Sequence, residues 1–104
     1  MTWVLLLTAA VLEAVWAIAL KRSHGFSDPA ATAVFLVALV ASMALLAVAL
    51  RALPVGTAYA VWTGGGAVCA ALAGMVLLSE PATASRLAAI GLVATGIAWL
   101  AAAG

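Results

Sequence analysis

The sequence predicts an all-α protein, a bundle of four membrane-spanning helices. Three observations carry this. Of 104 residues, 69% are hydrophobic and only 7% charged, against roughly 25% charged in an ordinary soluble domain. The apolar residues fall into four long runs, Trp3–Leu20, Ala30–Leu50, Val55–Ser79 and Leu87–Ala103, each near the ~20 residues a helix needs to cross a ~30 Å hydrocarbon layer. The gaps between them are short and hold the residues that stop one helix and start the next. A chain so poor in polar surface cannot enclose a core in water.

The first run, interrupted by Glu13 and without a basic segment before it, reads as a retained helix rather than a signal peptide. Lys21 and Arg22 in its last turn suit the negative end of the helix dipole, and Ser23-His24-Gly25 ends it. Ser27 or Asp28 can cap the second helix, with Pro29 at an early position where its missing N–H costs nothing. Arg51 ends helix two and Pro54 opens helix three. Pro81 closes helix three after Glu80, and Thr83 or Ser85 can cap helix four.

Such short connections make neighbours antiparallel and put both termini and the Arg51 loop on one side of the membrane. Lys21, Arg22 and Arg86 then lie on one side, opposed by Arg51 and the amino terminus on the other. This bias is weak under the rule that basic loops stay cytoplasmic, so oppositely oriented copies of the chain could form and pair. The remaining loops leave no room within these residues for a nucleotide-binding module, a soluble catalytic domain or a receptor ectodomain. A net charge of +1 offers no basic patch for nucleic acid. Cys69 is the only cysteine, which excludes an intramolecular disulfide. No metal-ligand cluster, phosphate-cradling loop or nucleophile–base pair is present, so the chain is not expected to be an enzyme or to hold a metal or organic cofactor.

Glu13 is the most informative residue. It lies about eleven residues into the first span, or roughly 15 Å deep at 1.5 Å per residue, which is the bilayer centre. A charge there costs on the order of 2.5–3.5 kcal/mol on insertion scales. It is the only acid inside any span, and no Lys, Arg or His lies at its depth. The missing counter-charge must come from outside the chain, as a proton or a cationic ligand. The competing reading is a protonated Glu13 that serves as interhelical glue.

Trp16 follows Glu13 by three residues on the same helix face, too deep for an interfacial tryptophan, whereas Trp3 and Trp99 fit that interfacial role. Trp62 is also deep, and Tyr59, three residues earlier on its face, is either an interfacial residue or a donor to Glu13 or a ligand. Aromatic faces around an acid suit a cation, adding ~0.5–2 kcal/mol of cation–π attraction. Ser42, near the middle of helix two, can donate to the carboxylate. Gly64-Gly65-Gly66 interrupts helix three with the poorest helix former after proline, which reads as a kink, a hinge or a close helix approach. A bend just past the aromatic pair is what alternating access needs. Four helices make a thin bundle with little room for a polar pathway, so a homo-oligomer is expected. Ala89 and Gly96, two turns apart on helix four, offer a small face for its packing.

The four-span plan, Glu13, and the segment Pro54-Val55-Gly56-Thr57-Ala58-Tyr59-Ala60-Val61-Trp62-Thr63-Gly64-Gly65-Gly66-Ala67 resemble the small multidrug resistance family. Leu12-Glu13-Ala14-Val15-Trp16-Ala17 and Leu20-Lys21-Arg22-Ser23-His24-Gly25-Phe26-Ser27 resemble its guanidinium exporters more than its broad multidrug exporters, where a small residue usually replaces Trp16. The resemblance covers essentially the whole chain. It implies an antiparallel, dual-topology homodimer in a bacterial inner membrane that exchanges protons, as the coupling ion, for guanidinium-type cations. It also implies that Glu13 of both protomers shares one central site lined by Trp16, Tyr59 and Trp62, with Ser42 in its hydrogen-bond network and the glycines permitting a bend. Gly65 departs from the branched apolar residue expected at that position. The alternatives left open are a broader exporter of quaternary ammonium cations and a non-transporting membrane assembly protein.

Overall fold

The computed structural model describes residues 1–103. It contains four helices: α1, Thr2–Arg22; α2, Pro29–Ala49; α3, Val55–Leu77; and α4, Ala84–Ala103. All four are long and apolar enough to cross a membrane. At 1.5 Å per residue they extend roughly 30–35 Å, which matches the hydrocarbon thickness.

The helix ends settle several choices between neighbouring residues. Asp28, not Ser27, caps α2, its carboxylate accepting from the Ala31 N–H at 3.2 Å, with Pro29 in the first turn. Thr83, not Ser85, caps α4, its hydroxyl accepting from the Arg86 N–H at 3.2 Å, so α4 begins at Ala84 rather than Leu87. Helix α2 stops at Ala49, before Arg51, and Pro54 stands just outside α3 as its N-cap. Helix α3 stops at Leu77, short of the expected Ser79, because Ser79 turns to a left-handed φ of 55°. In the first connection, His24, Gly25 and Phe26 all take positive φ. Buried Ser23 holds this turn by donating to the Leu20 carbonyl and accepting from the Phe26 N–H.

Lipid is as apolar as leucine, so packing between spans depends on close van der Waals fit rather than on escape from water. Helix α1 supplies that fit with small side chains. Its buried residues are Leu6, Ala9, Ala10, Ala14 and Ala19, and it packs against both α2 and α3, which barely touch each other. Helix α4 packs only on α3 and buries no residue. The spatial order is therefore α2, α1, α3, α4, in a slab measuring 41 × 34 × 18 Å between Cα atoms.

The contacts fix the directions. Leu6 and Ala9 near the start of α1 meet Leu46 and Ala49 at the end of α2 and Ala58, Val61 and Trp62 at the start of α3. Ile97 and Ala101 near the end of α4 pack against the same cluster. Each helix is thus antiparallel to its neighbour in sequence. At the opposite end, Glu80 pairs with Lys21 at 3.3 Å and Arg86 at 3.6 Å, drawing together the ends of α1 and α3 and the start of α4. The Lys21 side chain is 65% exposed, and exposed pairs of this kind contribute about 0–1 kcal/mol.

Candidate functional site

The middle of α1 packs against both α2 and α3. Toward α2, the Ser42 hydroxyl donates to the Ala9 carbonyl at 2.7 Å and accepts from the Trp62 indole N–H at 3.0 Å. This chain of bonds joins α1, α2 and α3. Ser42 is fully buried and Trp62 nearly so, and both have partners, as buried polar groups require.

One turn further along α1 the situation reverses. Glu13 faces α3, where Gly66 lies so close that a Cβ at that position would overlap the carboxylate. The Glu13 Oε1 atom is buried and has no hydrogen-bond partner. Trp16 lies on the same face of α1, and its Nε1 is likewise buried without a partner. Among the described residues these are the only two buried side-chain polar atoms in that condition. The Trp16 ring meets Phe35 of α2 edge to face, with centroids 6.0 Å apart, and Phe35 in turn contacts Phe26 at 5.7 Å.

Two expected contacts are absent. Ser42 does not bond Glu13, because its single hydroxyl proton is directed at Ala9, one turn before the acid. Tyr59 does not reach Glu13 either. Its ring lies against Trp62 with centroids 5.6 Å apart, it is 56% exposed, and it precedes Gly66 by seven residues, roughly 10 Å along the helix axis.

The glycine triplet is continuous helix, with α3 unbroken from Val55 to Leu77. What it provides here is close approach. A Cβ at Gly64 would come within 2.6 Å of Ile97 on α4, and one at Gly65 within 3.3 Å of Ala10 on α1. A branched residue at Gly65 would therefore press α1 away, which accounts for the glycine found there. Ala89 and Gly96 both lie exposed on α4, and nothing stands within 4 Å of a Cβ built at Gly96.

Phe35 was not legible as part of the site, although it lies two turns before Ser42 on the same helix. The hint was Trp16 itself, a large ring at membrane depth that must find a neighbour. The arrangement as a whole offers a buried, unsatisfied carboxylate oxygen packed on a glycine, with the Trp16 indole one turn further along the same helix. A small cation that brings N–H donors fits that chemistry.

The profile of a family described as "Small Multidrug Resistance protein" matches residues 1–93. Similar proteins include the guanidinium exporters of Escherichia coli (strain K12) and Shigella flexneri, each 54% identical over 97 residues, covering 93% of this chain and 92% of theirs. The guanidinium exporter of Salmonella typhimurium (strain LT2) is 53% identical over the same shares.

Proposed function

This chain belongs to the Small Multidrug Resistance family, and from that premise we propose that it exports guanidinium and small guanidinium-type cations from the cell in exchange for protons. The observation that carries the proposal is the buried Glu13 Oε1 with no partner. No cation of the chain lies at its depth, so the counter-charge is a proton or the transported cation. Planar guanidinium can offer a carboxylate two parallel N–H···O bonds, the strong charge-assisted geometry. The names of the similar proteins support the choice of cation.

The working unit is an antiparallel homodimer in the bacterial inner membrane, in which the Glu13 carboxylates of two oppositely oriented copies face one central site. Two protons or one cation then compete for the same pair of carboxylates, and occupancy by one expels the other. Coupling needs nothing beyond this mutual exclusion. Trp16, Trp62 and Tyr59 flank the cation with aromatic faces, and Ser42 fixes Trp62. The low helix propensity of Gly64, Gly65 and Gly66, each costing about 1 kcal/mol relative to alanine, lets α3 bend as the site opens to alternate sides. The unoccupied small face of α4, with Ala89 and Gly96 exposed, is the surface for the second copy.

Two measurements test this. In proteoliposomes, Glu13→Gln, which keeps the size of the side chain but cannot ionise, is expected to abolish guanidinium exchange driven by a proton gradient. Full exchange by that variant refutes the mechanism. Gly96→Leu is expected to shift the detergent-solubilised protein from dimer to monomer, and an unchanged dimer removes α4 from the interface.

A further inference from the structure

On the side of α1 away from Glu13 the helices splay and leave an open groove of about 540 Å³. Val11, Val15, Ile18 and Arg22 line its floor, and at about 3.6 residues per turn this stripe is roughly opposite the acid. Val34 of α2 and Ala73 of α3 stand on its two walls. From Val11 to Arg22 the floor runs roughly 16 Å along the helix axis, about half of a ~30 Å hydrocarbon layer. The groove therefore reaches from the membrane surface to the bilayer midplane, the depth of one leaflet.

Its lining is apolar apart from the Cys69 thiol and Arg22, which stands at the end nearest the membrane surface. The other two cations at that end, Lys21 and Arg86, are both paired with Glu80. Among the described residues Arg22 has no carboxylate partner, and its only bond is a long donation to the Leu77 carbonyl at 3.5 Å. An unpaired guanidinium at the mouth of a leaflet-deep apolar groove has the charge and shape for a phosphate attached to a hydrocarbon chain. Arginine binds phosphate through its rigid fork of N–H donors.

We propose that this groove seats one acyl chain of a membrane phospholipid whose phosphate is held by Arg22. A helix of a second copy, about 10–12 Å across with its side chains, would cover Arg22 with apolar surface and strand its charge. The slimmer acyl chain fills the groove and ends in the group that the charge needs.

Cys69 reports on the groove because it lines it and is partly exposed. The purified full-length protein, stripped of lipid in detergent, is titrated with dioleoyl phosphatidylglycerol, with dioleoylglycerol, which lacks the phosphate, or with inorganic phosphate. The readouts are the rate of Cys69 alkylation by a maleimide and the lipid retained in native mass spectrometry. Phosphatidylglycerol is expected to slow alkylation at least fivefold, dioleoylglycerol to act only at about tenfold higher concentration, and inorganic phosphate to have no effect. Arg22→Gln should abolish the preference for phosphatidylglycerol over dioleoylglycerol. Ala73→Phe, which fills the groove, should remove retained lipid, whereas Val40→Phe on the exposed side of α2 should not. If a variant fails to fold, the lipid titration of the native chain still decides. Protection that is independent of lipid and grows with protein concentration makes the occupant a second copy and overturns the proposal. So does protection by inorganic phosphate alone, or equal action of the two lipids on the native chain.

Discussion

One helical turn separates two polar groups with opposite fates. At Ser42 the hydroxyl, the Trp62 indole and the Ala9 carbonyl satisfy one another across three helices. At the half-buried Glu13 and Trp16, a buried carboxylate oxygen and a buried indole N–H have no partner within the chain. Leaving a buried polar group unmade costs about 1–3 kcal/mol, and more for a charged group. Ser42 and Trp62 are thus tied within the chain, whereas Glu13 and Trp16 have no partner in it and, in the function proposed above, meet theirs from outside. This contrast, more than the presence of an acid in a membrane helix, is what supports the proposed placing of the ligand at Glu13.

The largest expected effect comes from removing the charge on the open side. Titrated with guanidinium and followed by tryptophan fluorescence, Glu13→Gln should lose at least 100-fold in affinity, about 2.7 kcal/mol or two decades, while keeping its helical content. In the native chain, the same titration should give weaker guanidinium binding as pH is lowered, since protons compete for the carboxylate. A Glu13→Gln protein that binds within tenfold of the native one would mean that the open cluster is only glue, and the contrast would disappear.

A smaller effect should follow from closing the space beside the acid. Gly66→Ala places a methyl group where the Glu13 carboxylate lies, and overpacking of this kind costs about 1–3 kcal/mol. Gly91→Ala is the matched control, because nothing stands within 4 Å of a Cβ there and replacing an interior helical glycine by alanine gains roughly 0.5–1 kcal/mol. Unfolding titrations in detergent should therefore move in opposite directions for the two variants. Equal shifts would show that Gly66 is no closer to its neighbour than Gly91 is.

The four helices were legible because their signal is a sum over some twenty residues, which a few misplaced side chains cannot hide. Glu13 was legible for the converse reason, being a single charge where charge is expensive. Partners were harder to read. Ser42 and Tyr59 both have hydroxyls at plausible depths, yet which acceptor a hydroxyl meets depends on the rotation of its helix, and an apolar sequence fixes rotation weakly. With lipid on one side and alanine on the other, α1 has no polar stripe to orient it. The glycine triplet was ambiguous between bend and contact for a related reason. Glycine lowers the cost of both, and only the positions of Ala10, Glu13 and Ile97 show that contact is what these glycines provide in this conformation.

The smallest effect probes the closed side. Ser42→Ala leaves the Trp62 N–H, in a residue only 7% exposed, without its acceptor. In water-soluble proteins that would cost about 1–3 kcal/mol, but hydrogen bonds between membrane helices measure ~0.6 kcal/mol on average and up to ~1.7 kcal/mol, because the unfolded state in lipid also finds partners. A loss of about 1 kcal/mol is therefore expected. The coupling is isolated by repeating the substitution in a Trp62→Phe background, where no indole N–H remains to be stranded and Ser42→Ala should cost measurably less. Guanidinium affinity in Ser42→Ala should change far less than in Glu13→Gln, because the serine acts on the site only through the position of Trp62. Equal losses of affinity in the two variants would instead place Ser42 on the ligand itself and move it from the closed cluster to the open one.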